Sequence, residues 1–592
     1  MDVGLQSWDY VAMVVYMIAV VALGFKFSKN ENNSEDYLLG GRKIPWYAVG
    51  ISCLMSLLST YSLVMIPGEI FNHGLSMWSL GLLAPILQIP AFMIFVRFYF
   101  KLNSFTPFEY LERRYDKKVR TLIATIYTYS RLVYLAMVLF ATSKVFEGAA
   151  GWPAWVTILI VGVIGIMYTV MGGMLAVVWT DVLQFFVLIG GLGIAIVILI
   201  INIDGGFLGA ITYTFEHGHG LSRYSDPDFY MCNPYVRLTF WLLLLGQFMA
   251  PLKTAASDQI TIQRLLSTSS YKSAFKAQLT SSILTIPFMM VLWFIGMGIF
   301  TYYSQNPSPL VTSGDTAFFT FVATKLPTPV PGLIMAAMLA AVMSTLDSGM
   351  NSLSAIWLKE FHQPYINNDL DGKAQVKVSR YATVVTGIFA VSVAIFIAKS
   401  SDALGQSVVE AATILNGFDV IVFPAFLFAV ISVRANKVMI WILASLLWGI
   451  KFGQMTWYTV TAYIAKSWVE GQPLGLGGPI SFSWVITPLL IFAVLFIIWG
   501  AMHIKTKKLC LPLLGTAMAP LGYAIGVAIW YFYSNNTEMT KPEVLSFQWV
   551  SLPAIISFVV LGTILLMFSK KQPENKYMGL TLGTYKSNVI DK

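Results

Sequence analysis

The chain has 592 residues, of which 57% belong to the AVILMFWYC set and 11% are charged, with a mean hydropathy of +0.70. Soluble domains carry about 25% charged residues, so this chain has too few to cover a globule of its size. Its apolar residues fall in runs of about twenty, long enough to cross a hydrocarbon core of ~30 Å. A soluble enzyme, a disulfide-stapled domain and a disordered chain are excluded, which leaves an all-α polytopic protein of the lipid bilayer.

The net charge of +9 does not point to nucleic acid, because Lys and Arg collect in short connections between apolar runs and record orientation there. Cys53, Cys232 and Cys510 have no metal-site spacing. The first run follows Asp2 and Asp9 and is trailed by Lys26 and Lys29, the reverse of a cleavable signal. It is expected to stay as a helix with its N-terminus outside. Fifteen spans are predicted: 9–26, 45–71, 77–100, 119–147, 153–171, 174–202, 235–256, 274–302, 330–357, 378–398, 406–432, 437–459, 483–503, 510–533 and 551–569. Fourteen is the alternative, if one of the last four lies in the interface. With fifteen, the cytoplasmic segments hold 28 of the 38 Lys and Arg and the outer ones five, and the C-terminus is cytoplasmic in a cell membrane. No connection is long enough for a soluble domain.

Span 45–71 does not read as a continuous helix. Between Gly50 and Ser62 it carries five Ser or Thr, and it then reaches Pro67-Gly68. Backbone groups freed there are tolerable only where they line a cavity or bind something. Five spans later, 235–256 carries Gly246-Gln247 and Pro251, followed by Thr254. Interrupted helices at corresponding positions predict an inverted repeat with a binding site between its halves. The chain then divides into 1–44 (extra helix and loop), 45–202 (first repeat), 203–234 (outer loop), 235–432 (second repeat), 433–569 (peripheral helices) and 570–592 (cytoplasmic tail).

Ionisable residues inside spans are the second signal, since each costs roughly 2.5–3.5 kcal/mol at the bilayer centre. Asp181 lies in the inner half of its span and Asp347 just inward of the middle of 330–357. Ala341, Ser344, Thr345 and Ser348 share one helix face by their spacing, which serves either close helix packing or, with the carboxylates, an oxygen-only site for a hard cation such as Na+. Met55 to Leu58 and Ala341 to Thr345 fall at the same depth. Arg131, midway through 119–147, is either a fork for a solute carboxylate or a structural partner of a nearby acid. Tyr61 and Gln88 are cavity candidates, while Glu69 reads as a snorkelling residue near a span end and Lys451 as part of a peripheral helix.

These residues also carry a likeness. The stretches Asp36-Tyr-Leu-Leu-Gly-Gly-Arg-Lys-Ile-Pro-Trp46, Thr106-Pro-Phe-Glu-Tyr-Leu-Glu-Arg-Arg-Tyr115, Gly172-Gly-Met-Leu-Ala-Val-Val-Trp-Thr-Asp-Val-Leu-Gln184, Asp258-Gln-Ile-Thr-Ile-Gln-Arg264 and Ala340-Ala-Val-Met-Ser-Thr-Leu-Asp-Ser348 resemble the sodium:solute symporter family. The resemblance implies a LeuT-type five-plus-five inverted repeat with one extra N-terminal and about four extra C-terminal helices, and alternating access driven by Na+. It implies a Na+ site of Met55, Leu58 and Ala341 carbonyls with Ser344 and Thr345 hydroxyls, and a second Na+ set of Asp181, Ser344, Asp347 and Ser348. A solute cavity of Ser59, Ser62, Gln88, Arg131, Pro251 and Thr254 follows.

The function expected is import of a small organic solute with Na+, leaning to an organic acid or acidic sugar, with a neutral sugar as the alternative. A Na+-conducting channel would use the same oxygen ligands. An enzyme is not expected, since all five histidines (His73, His217, His219, His362, His503) lie near span ends or in loops. A monomer is assumed.

Overall fold

The structure is a computed structural model that describes residues 5–27, 33–58, 60–232, 236, 238–311, 314–404, 421–451 and 552–584. The described residues are helical and contain no strand. Seven of their helices are long and apolar enough to cross a membrane, and one bent pair makes an eighth. The predicted spans 483–503 and 510–533 lie outside the described residues, as do much of 406–432 and 437–459, so the count of fifteen stays an expectation.

The first helix, α1 (Ser7–Phe27), is anchored by Asp9. This carboxylate is buried and accepts the Gly332 N–H at 2.9 Å, at the start of α14 (Val330–Ile356). An acid there satisfies one of the orphan donors of a helix N-terminus and complements its dipole. After the short α2 (Ser34–Leu39), α3 (Trp46–Leu57) ends where Leu58 turns extended (φ −95°, ψ 108°). The chain resumes as α4 (Thr60–His73), bent by 52° from α3. The interruption is therefore at Leu58. It falls within the stretch Met55 to Leu58 expected to free its carbonyls, while Pro67-Gly68, the other irregularity of this span, lies inside α4.

The next helices are α5 (Leu83–Lys101), α6 (Phe108–Arg114), α7 (Lys117–Ala150) and α8 (Ala154–Ile201). The last is 48 residues long and kinks at Gly173 (φ 50°, ψ −160°), a conformation that a side chain would disfavour. The kink falls between the predicted spans 153–171 and 174–202. The connection 203–234 contains α9 (Gly206–Glu216).

A second interruption follows α10 (Phe240–Ser257). Asp258 is extended (φ −81°, ψ 101°), and its side chain caps α11 (Gln259–Leu266) by accepting the Thr261 N–H. The break predicted near Pro251 and Thr254 is thus displaced: α10 runs through Pro251, and the Thr254 hydroxyl donates to the Ala250 carbonyl at 3.0 Å. Helices α12 (Tyr271–Gln305) and α13 (Gly314–Lys325) lead to α14.

Helix α14 is buried along nearly all of its length, as expected of a helix with small and apolar residues on every side. It packs against α8, α1, α7 and α3, while α3 also packs on α12 and α8. Close approach of α3 to α12 depends on Gly50, where a Cβ would lie 2.8 Å from the Ala277 carbonyl oxygen. Both halves of the broken helix, α3 and α4, pack on α12 and on α14.

Candidate functional site

The interruption at Leu58 ends α3 against the middle of α14. Leu58 N–H bonds back to the Leu54 and Met55 carbonyls at 3.2 and 3.1 Å, so the Leu58 carbonyl is the group that leaves the helix ladder. Thr345 Oγ1 lies 3.5 Å from the Leu58 oxygen and 3.1 Å from the Ala341 oxygen. Met55, Leu58, Ala341, Ser344 and Thr345 are all buried. The Thr345 hydroxyl thus meets one carbonyl of its own helix and one from a segment far away in sequence, all of them buried. That donor set suits an alkali cation, and among the described residues no cluster of three or more His, Cys, Asp or Glu offers a transition-metal alternative.

Ser344, one residue earlier on α14, donates its hydroxyl to Asp181 Oδ1. Asp181 is 0% exposed; its Oδ2 accepts the Ser52 hydroxyl from α3 and Arg264 Nη2 at 3.3 Å. The guanidinium also donates through Nε to Ser52 Oγ at 2.7 Å, through Nη1 to the Ile260 carbonyl at 3.1 Å and through Nη2 to Ser348 Oγ. Ser348 in turn donates to the Ser344 carbonyl, and Asp347 Oδ1 accepts the Ser348 N–H at 2.6 Å. Asp181, Ser344, Asp347 and Ser348 therefore do lie together, but a buried arginine is bonded into the group. Paired in this way, a buried carboxylate avoids the large cost of an isolated charge.

Sequence reasoning missed Arg264 and Ser52. Arg264 was counted among the cations of a cytoplasmic connection, whereas α11 folds back into the protein and buries it completely. The available signal was that it closes one of the quoted motifs.

The solute residues are less gathered. Arg131 on α7 pairs with Asp258 Oδ1 at the second interruption. Tyr127 OH donates to the same oxygen at 2.9 Å, and Thr261 Oγ1 donates to Asp258 Oδ2 at 2.7 Å. Of the two readings of Arg131, the structural pair is the one seen. Gln88 is buried on α5, which packs along α10, and Pro251 is buried inside α10. Ser62 is half-buried in the first turn of α4, while Ser59 lies outside the described residues.

Comparison with known proteins bears on the whole constellation. A sequence profile of the sodium:solute symporter family matches residues 37–441, which take in both interruptions and the carboxylate group. The chain belongs to the sodium:solute symporter family. It is accordingly a multi-pass membrane transporter of a small solute, and Na+ is its coupling ion. It is 27% identical over 399 residues to a sodium/sialic acid symporter of Aliivibrio fischeri, covering 67% of this chain and 77% of that protein. It is 28% identical over 429 residues to a sodium/glucose cotransporter of Vibrio parahaemolyticus, covering 68% and 77%. A substrate-bound, outward-open Na+-coupled sialic acid symporter shares the fold with a TM-score of 0.71 at 21% identity, covering 96% of this chain and 99% of that one.

Proposed function

We propose that this symporter imports an acidic sugar of the sialic-acid type with Na+, through a LeuT-type five-plus-five repeat whose interrupted helices are α3–α4 and α10–α11. The convergence of the Leu58 and Ala341 carbonyls on the Thr345 hydroxyl is the observation that carries the Na+ half of the reading. Met55 and Ser344 complete that cradle. Na+ entering from outside neutralises the carbonyl dipoles exposed at Leu58 and so holds α3–α4 against α14. The solute cavity then forms between Ser59, Ser62, Gln88, Arg131 and the second interruption, which lies one helical turn beyond Thr254. Rocking of the helices opens the cavity to the cytoplasm, where the positive-inside pattern puts α6 and the tail.

The acid half rests on the sialic acid relatives; Arg131 is held by the Asp258 carboxylate, which also accepts the Tyr127 hydroxyl. To bind a solute carboxylate, Arg131 would have to share its fork with Asp258. The engagement of Arg131 by Asp258 equally favours a neutral sugar, because an internal acid then supplies the carboxylate that a solute otherwise would. Uptake into proteoliposomes separates the readings. Sialic acid uptake that needs Na+, saturates and is blocked by unlabelled sialic acid but not by galactose supports the proposal. Saturable galactose uptake insensitive to sialic acid replaces it with the sugar reading. Solute-independent Na+ current of large unitary size overturns symport altogether.

A further inference from the structure

The group around Asp181 holds four hydroxyl or carboxylate residues of the kind that bind a second alkali ion, and a guanidinium sits among them. Arg264 Nη2 reaches both Asp181 Oδ2 and Ser348 Oγ, while its Nε reaches Ser52 Oγ. Asp181 Oδ2 takes two donors at once, from Ser52 and from the guanidinium. Ser348 Oγ accepts from Arg264 and gives its own proton to the Ser344 carbonyl. The Asp181 and Ser348 oxygens that a hard cation would need thus already accept from hydroxyl or guanidinium donors. A metal ion entering this group would also lie within a few ångströms of a positive charge in a low-dielectric interior, where like charges repel strongly.

We propose that Arg264 is a tethered cation that fills the second cation position, so that the chain carries one Na+ per cycle. The inference rests on the symport reading above and adds a stoichiometry to it. Arg264 reaches this position because α11 leaves the second interruption with its side chains buried on every face. The same guanidinium joins four helices, since its partners lie on α3, α8 and α14 and it lies on α11. It fixes Asp181 beside Ser344, whose neighbour Thr345 belongs to the Na+ cradle, and is in this sense a positioning residue for the coupling ion. With one Na+ and a monoanionic solute, transport is electroneutral, and the membrane potential does not drive it.

The test is a count of 22Na+ bound to the purified full-length protein, paired with the Hill coefficient for Na+ in uptake. One ion per protein in the wild type, rising towards two in Arg264→Gln with a Hill coefficient above one, supports the proposal. Two ions in the wild type, or one ion in a folded Arg264→Gln, overturn it while leaving symport intact. No bound Na+ in the wild type sinks the symport reading itself. Should Arg264→Gln fail to fold, Asp181→Asn decides: a count that stays at one supports the proposal. A count that drops to zero makes Asp181 a ligand of the single ion and overturns it.

Discussion

The Thr345 hydroxyl lies 3.5 Å from the carbonyl oxygen of Leu58, 287 residues away in the chain. One partner is a backbone group released by a helix interruption, and the other belongs to α14, which is buried along nearly all of its length. In the proposed reading, a cation held between them ties the broken helix to α14, which is what coupling requires. Thr345→Val keeps the shape and removes one oxygen ligand. Losing one such interaction costs on the order of 1–3 kcal/mol, so the Na+ concentration for half-maximal uptake should rise roughly tenfold or more. A sodium titration of uptake at fixed solute measures this, and an unchanged midpoint would remove Thr345 from the site.

Arg131 and Asp258 make the second testable pair. If Asp258 holds Arg131 for the solute carboxylate, Asp258→Asn should weaken acid binding by misplacing the guanidinium, and Arg131→Lys should weaken it further by losing the fork. Isothermal titration with sialic acid in Na+ reads both. Affinity for a neutral sugar that survives both changes would favour the sugar alternative.

How much of this was legible in the sequence depended on the kind of signal. Asp181, Ser344 and Thr345 stood out because polar groups at mid-span and a shared helix face are both conspicuous against an apolar background. Helix breaks were less legible. The break at Leu58 falls within the stretch 55–58 expected to free its carbonyls, whereas Pro251 and Thr254 point one turn short of the break at Asp258, whose side chain caps α11. Buried charges were the least legible. Arg264 reads as a loop cation and Glu69 as a snorkelling residue, yet both are buried. A long side chain beside a span end can turn inward as easily as outward, and sequence position does not say which.

Glu360 follows α14 in a π-helical turn, Trp357–His362, and its side chain is 0% exposed. It accepts from Thr106 Oγ1 and from Arg120 through Nε and Nη2. Removing one member of a buried pair leaves the other charge uncompensated, at a cost of about 3–5 kcal/mol. Glu360→Ala should therefore lower the thermal midpoint in detergent well beyond Glu112→Ala, whose carboxylate is exposed. Equal shifts for the two would show that burial contributes nothing here.

Glu109, on α6 between two spans, gives a pH dependence. Burial, and then the nearby Glu360 carboxylate, push its carboxyl above the usual range. The folded protein then binds this proton more tightly than the unfolded chain does. Its contribution to stability is greatest below the ordinary glutamate range and declines as pH rises through the raised value. Glu109→Gln cannot ionise and keeps an oxygen to accept the Phe105 N–H that Glu109 now takes at 3.1 Å. The variant should gain stability relative to wild type as pH rises from about 4 to 8, measured as the difference between their melting temperatures. A constant difference across that range would mean Glu109 titrates as an exposed acid.

The segment after the last described helix, Leu552–Phe568, lies on α6 and the end of Val422–Ile431. Tyr110 OH donates to the Leu580 carbonyl, Lys576 Nζ donates to the Tyr115 carbonyl at 2.8 Å, and Gln572 N–H donates to the Val433 carbonyl at 3.1 Å. Tyr577 and Thr581 are buried by this docking. Arg114 links the same two regions through the Ala429 and Ser432 carbonyls, so the segment reinforces a joint that already exists. Truncation after residue 569 should therefore leave the protein folded but uncover α6 and loosen it against Val422–Ile431. Hydrogen exchange at 108–115 should speed up by an order of magnitude or so, equivalent to about 1.4 kcal/mol of lost local stability, with exchange in α14 unchanged. If exchange in α6 is the same with and without the segment, the docking contributes nothing to the stability of that end of the bundle.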